Sequence, residues 1–240
     1  DLHTGIHSFP TRRSSDLSEK NLSYIHFVRG DKLFVVLTNE MTGMKSFYSA
    51  YLNNDKFELE KFLETDENTQ YINIIGNKLY FSKKDYQWGE IRALDLLNDN
   101  KEIPIVPQTY GHLLFDSYFT EDYIFCAYKN LGKYYVAVYD LQGNFIRKFF
   151  APEGTAFTMK FYDEKSKNMF ISVYSYTLSP QNFKLNIDTG SIDPYYNDYL
   201  RPKTTLFPLD YFVTKNTTCK SRDGVDIPLT IIYKKGTVLD

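Results

Sequence analysis

The chain has little of what usually marks a chemical site. Its 240 residues include two cysteines, one tryptophan and four histidines. Neither Cys126 nor Cys219 has a metal-ligand neighbour at zinc spacing, so cysteine usage leaves the redox compartment open. Cys126, in Tyr123-Ile124-Phe125-Cys126-Ala127-Tyr128, reads as a small buried apolar filler. Charge of one sign is lacking too. Lys and Arg number 28 against 30 Asp and Glu, a formal net charge of −2. That leaves no basic field for nucleic acid and no acidic solvating tail. The apolar runs are too short to span a bilayer, and the composition is that of a soluble globular protein. No glycine-rich phosphate loop, no Gly-x-Ser-x-Gly elbow and no helical periodicity occurs.

What the sequence does have is aromatic surface and a period. Aromatics make up 17%, with 21 Tyr and 19 Phe, residues that favour pleated, half-buried strands and so an all-β fold. Leu33, Leu79, Ile124 and Met169 lead similar strands at separations of 46, 45 and 45 residues. Leu52, Leu96, Leu141 and Ile187 form a second set at 44, 45 and 46. Two anchor sets keeping one period of short strands predict β-propeller blades.

Each repeat reads as four antiparallel strands joined by turn residues such as Arg29-Gly30-Asp31, Gly76-Asn77 and Asp140-Leu141-Gln142-Gly143. The blades are placed at about 22–64, 69–107, 112–150 and 156–199, within 18–200. In the first, the strands fall at Leu22–Val28, Lys32–Thr38, Ser46–Leu52 and Phe57–Leu63. The outer strand of the fourth, near Ile192–Tyr195, is weaker. Residues 201–210 form a linker whose prolines exclude a ladder position. Residues 211–240 then carry two β-prone runs, Thr214–Lys220 and Ile227–Tyr233, around Asp223-Gly224, a strong hairpin signal. The second run is apolar on both sides, which suits a strand buried on both faces of a larger sheet.

The N-terminal stretch Asp1 to Leu17 resembles one reading frame of an indexed short-read sequencing adapter, most closely over His7-Ser8-Phe9-Pro10-Thr11-Arg12-Arg13-Ser14-Ser15-Asp16-Leu17. It is set aside from fold reasoning as disordered, with the native reading beginning near Ser18. His3, His7 and Arg12-Arg13 are therefore not candidate site residues.

A second resemblance concerns the C-terminus. Ser221-Arg222-Asp223-Gly224, Ile227-Pro228-Leu229 and Ile231-Ile232-Tyr233-Lys234-Lys235-Gly236 resemble the segment with which prolyl oligopeptidase family serine peptidases leave their propeller and re-enter an α/β-hydrolase domain. Val138 to Ile146 and Phe170 to Pro180, before Asp188-Thr189-Gly190, resemble the family's last blades. In the family the propeller has seven blades, so these would be the last four. A closed four-blade ring is the alternative. The resemblance implies acyl transfer by a Ser-Asp-His triad in a domain beyond residue 240. The propeller would act as a gate admitting short, flexible peptides. The expected partners are short peptide substrates and the parent's own catalytic domain.

Within these residues the expectation is no catalytic residue, no metal site and no cofactor. His26 and His112 sit in or beside strands. Glu121-Asp122 and Asp163-Glu164 fall at turns and read as solvated, and Asp188-Thr189-Gly190 lacks the other ligands of a calcium loop. The loop Asn39 to Lys45 lies where some family members place a substrate-contacting arginine. None is present, which leaves Met41 and Met44, read first as ordinary loop residues. Two other functions stay open: a non-catalytic propeller that binds proteins or peptides, and an oligopeptidase B-like enzyme cleaving after basic residues. Localisation is open between cytoplasm and periplasm.

Overall fold

The computed structural model describes residues 22–53, 58–65, 69–83, 87–97, 101–195 and 211–238. Among them every regular element is a β-strand. The segments read as adapter-derived (1–17) and as linker (201–210) lie outside the described residues. The chain divides into two compact units, the first ending at Glu67 and the second starting at Asn68.

The first unit is one four-stranded antiparallel meander. Its strands are β1 (Leu22–Arg29), β2 (Lys32–Asn39), β3 (Lys45–Tyr51) and β4 (Glu60–Glu64). The strand expected from Phe57 is found from Glu60, beyond an undescribed segment. Val36 lies opposite Phe47 and Phe34 opposite Ser49. Phe34, Val36 and Phe47 are thus buried on one face of the sheet. On the other face Tyr24 and Val28 of β1 stay exposed.

The second unit repeats the meander three times. Blade 2 comprises β5 (Thr69–Ile75), β6 (Lys78–Lys83), β7 (Glu90–Asp95) and β8 (Glu102–Val106). Blade 3 comprises β9 (Leu113–Phe119), β10 (Tyr123–Asn130), β11 (Lys133–Asp140) and β12 (Phe145–Phe150). Blade 4 comprises β13 (Ala156–Asp163), β14 (Asn168–Tyr174), β15 (Gln181–Asn186) and a short β16 (Ile192–Pro194). A hairpin of β17 (Phe212–Lys220) and β18 (Asp226–Lys234) follows.

Alternation decides which blade each side chain meets, because successive residues of a strand point to opposite faces. In β10 and β11, Ile124, Cys126, Tyr128, Tyr135 and Ala137 point toward blade 2. There they pack with Tyr80, Ile91, Ala93, Ile105 and Val106. The intervening Phe125, Ala127, Val136 and Val138 point toward blade 4 and pack with Phe157, Met169, Ile171, Val173 and Leu185. Both faces of the middle of blade 3 are therefore core, which is why Ile124 to Tyr128 read as one unbroken apolar run. Each fully buried large side chain here contributes roughly 1.5–3 kcal/mol. The period-setting Ile124 and Met169 occupy equivalent places, each facing the blade before its own.

Candidate functional site

The end of the sheets at which the hairpin docks is the natural place to look for function. Three connections meet β17 there. The Asn216 Nδ2 amide donates to the carbonyl of Gly132 in the β10–β11 turn, at 2.6 Å. The Asn216 Oδ1 accepts from the Thr230 hydroxyl across the hairpin, at 3.0 Å, so one side chain ties both strands to blade 3. The Thr177 and Thr214 hydroxyls are bonded at 2.8 Å, linking the β14–β15 loop of blade 4 to the hairpin. Gly154, between blades 3 and 4, approaches closest. A Cβ there would stand 2.2 Å from the carbonyl oxygen of Thr214.

These contacts enclose a cleft of about 380 Å³. Lys129, Tyr134, Tyr174 and Tyr176 form its blade side; Asn216, Leu229 and Thr230 form its hairpin side. Apolar side chains stand open on both faces of β18, Ile227 and Leu229 on one, exposed by 45% and 44%, and Ile232 on the other, exposed by 46%. The hairpin loop falls between the two expected runs. Lys220 pairs with Asp226, so Asp223-Gly224 sits in a five-residue loop, Ser221 to Val225. The Ser221 hydroxyl bonds the Asp223 carboxylate and holds its pKa below the ordinary value. The Ser221 Oγ also accepts from the Val225 amide at 3.1 Å.

The same end carries an aromatic pair that sequence reasoning passed over. The Leu114 amide donates to the Trp88 carbonyl at 2.8 Å, fixing the β6–β7 connection to the start of β9. Tyr110 stands on the connection between blades 2 and 3, its ring 5.5 Å from that of Trp88 and edge-on at 68°. It is 87% exposed. No local pattern flags this pair, because the two residues lie on different loops and meet only when blades 2 and 3 pack.

The other sequence candidates are scattered. His26 lies in β1, exposed and stacked beside Tyr24. His112 precedes β9, its Nδ1 bonded to the Tyr135 hydroxyl at 2.8 Å. Met41 and Met44 are exposed in a loop held by Asn39, whose Oδ1 accepts from the Met41 and Thr42 amides at 2.9 and 3.1 Å. In the second unit the acidic turn residues lie at the end away from the hairpin. Asp122 pairs with Lys167 at 3.4 Å. Asp163 accepts from the Ser166 hydroxyl at 2.6 Å, which lowers its pKa. The Asp188 carbonyl accepts from Arg147 at 3.2 Å. Among the described residues no group of three or more His, Cys, Asp or Glu is placed to hold a metal ion. Nor is any helix long and apolar enough to cross a membrane.

The fold is thus a set of four-stranded propeller-type blades followed by a two-stranded hairpin. No family model matches the chain. Two curated relatives do, both prolyl endopeptidases. That of Elizabethkingia meningoseptica is 26% identical over 89% of this chain and 30% of its own length. That of Elizabethkingia miricola is 31% identical over the whole chain and 32% of its own length. The chain therefore spans about a third of the curated relatives it matches. Among solved structures, prolyl oligopeptidase B from Galerina marginata superimposes over 93% of this chain and 33% of its own, with a TM-score of 0.67 and 18% identity. Both comparisons converge on the prolyl oligopeptidase family, in agreement with the C-terminal resemblance. The all-β, four-stranded sheets share the fold of the propellers in those solved structures.

Proposed function

We propose that these residues are the propeller portion, and the first strands of the hydrolase layer, of a prolyl oligopeptidase-like serine endopeptidase acting on short peptides. The observation that carries the reading is the β17–β18 hairpin. It is docked on blades 3 and 4 through Asn216, Thr214 and Thr177, yet it leaves Ile227, Leu229 and Ile232 uncovered. A strand with exposed apolar residues on both faces needs further layers to cover it. The similarity to prolyl endopeptidases over the whole chain supports the same reading.

In this reading the chemistry is acyl transfer by a Ser-Asp-His triad beyond residue 240, and the blades restrict access to it. The described residues have no part in proton transfer. Their work is to hold the hairpin, and with it the catalytic layer, at one end of the propeller. Unfolded peptides pass such a gate and folded proteins do not.

Extending the reading frame downstream is the direct test. An α/β-hydrolase segment on the order of 250 residues is expected, with a nucleophile-elbow serine followed by Asp and then His. A stop codon soon after Asp240 in intact genomic sequence would instead favour a non-catalytic peptide-binding propeller. Assay of the full-length gene product on proline and arginine reporter peptides then separates prolyl from basic-residue cleavage. A serine-directed inhibitor is expected to abolish either activity.

A further inference from the structure

We propose that Trp88 and Tyr110 form a peptide-binding platform that takes a proline-bearing stretch of extended peptide, apart from the residues that carry out hydrolysis. The choice of peptide rests on the peptidase reading above; the platform itself rests on geometry.

The first observation is exposure without packing. Tyr110 is 87% exposed, so its ring contributes almost no burial to the fold. An aromatic ring left in water at a fixed place is free to bury surface on a ligand, and such rings dominate binding energetics when they do. The second observation is that the ring is held. The Thr109–His112 turn is closed by the His112 amide donating to the Thr109 carbonyl at 3.0 Å. Asn130 Nδ2 donates to the Gly111 carbonyl at 2.8 Å, fastening the turn to the end of β10. His112 is itself anchored to Tyr135, whose ring lies under Lys148 Nζ at 4.4 Å. Trp88 is fastened independently through the Leu114 amide. Two rings set edge to face at 5.5 Å thus make a corner supported from blades 2 and 3.

The third observation is location. Asn130 and the Leu131–Gly132 turn adjoin the platform on one side, through Gly111. They adjoin the hairpin on the other, through Asn216. The platform therefore opens at the end of the sheets where the hairpin docks.

An aromatic corner of this kind suits proline. The pyrrolidine ring is compact, apolar and stiff, and proline lacks an N–H that would need a partner on the protein. A polyproline-type segment loses little entropy on docking and is recognised elsewhere by grooves lined with aromatic rings. The expected affinity is modest, because a pair of rings buries little area.

Trp88 is the sole tryptophan of the sequence, so its fluorescence reports this site and no other. The 240-residue chain is titrated with an end-capped oligoproline peptide and with an end-capped alanine–glycine peptide of equal length. A saturable change with oligoproline only is expected. Tyr110→Ala is expected to raise the dissociation constant about three- to tenfold, and Tyr110→Phe to leave it near the wild-type value. Tyr110 packs little, so the fold should survive either change, and an unchanged far-ultraviolet spectrum checks this. No saturable change, an equal response to the alanine–glycine peptide, or an unaltered affinity in Tyr110→Ala would overturn the proposal. Hydrolysis after proline by the full-length gene product with no Trp88 response sinks the platform and spares the peptidase reading. Oligoproline binding without such hydrolysis does the reverse.

Discussion

Leu131 has a backbone that its side chain does not favour. The β10–β11 turn is two residues long, Asn130 pairing with Lys133, and both turn residues have positive φ, 43° at Leu131 and 80° at Gly132. That is the pattern of a type I′ turn, which prefers Asn followed by Gly. Leu131 is also half exposed, so little burial offsets the strain. Leu131→Asn is expected to stabilise the chain by about 0.5–1 kcal/mol. A raised urea midpoint at unchanged slope would show it.

Cys126 offers a second test at the same scale. Burial pushes its thiol up to about 12. Beside it burial likewise raises Tyr135, to about 12, and lifts Tyr80, Tyr128 and Tyr139 above the ordinary phenol value. All five groups are neutral in the native core, and the unfolded chain releases their protons first as pH rises. Their contribution is therefore full below about pH 9 and lost progressively toward about pH 12. The urea midpoint is expected to fall across that window, less steeply in Cys126→Val; a flat profile would contradict the burial. In the native protein a thiol reagent should modify the exposed Cys219 and leave Cys126 untouched.

At the scale of elements, the strands were legible and their partners across blades were not. The two anchor sets placed four blades because a buried aliphatic residue must recur wherever the same strand meets the same kind of neighbour. Turn chemistry placed Gly30-Asp31 and Gly76-Asn77 between paired strands. The hairpin loop fell between the expected runs, but the side-chain bonds with which Ser221 and Asp223 close it were not legible from the Asp-Gly pair alone. Nor did the sequence disclose what holds the hairpin. Gly154 and Thr214 are far apart in the chain, and the need for glycine arises only where their backbones meet. Gly154 has a φ of 74°, and an added Cβ would strike the Thr214 carbonyl. Gly154→Ala is expected to cost about 1–3 kcal/mol locally. The measurable consequence is faster hydrogen exchange at β17 amides with β10 and β11 still protected. Equal protection of β17 in both proteins would refute the close approach.

For the whole molecule, the repeats themselves identify an exposed apolar surface on the first blade. Leu96, Leu141 and Ile187 hold one position in successive blades. Leu96 and Ile187 are buried, and Leu141 packs on the core between blades 2 and 3. The equivalent Leu52 in the first blade is 46% exposed, and Tyr24 and Val28 of the same blade are exposed as well. Within the second unit, the faces that carry Leu141 and Ile187 are each covered by the preceding blade. The 240-residue chain in isolation is therefore expected to self-associate, with apparent mass rising with concentration in light scattering. Leu52→Glu should reduce the effect. A clean monomer with one cooperative melt would instead favour a closed four-blade ring.

The sequence by itself determined the class of fold, the period, the buried character of Cys126 and the presence of a hairpin after the last blade. All of these follow from local rules, since alternation, turn residues and repeat spacing act between near neighbours in the chain. Only the tertiary structure decided which face of each strand meets which blade, where Asn216 and Gly154 seat the hairpin, and that Trp88 and Tyr110 share a corner. Those outcomes depend on groups brought together across blades. Packing of both faces of blade 3 fixes them, and no spacing along the chain encodes it.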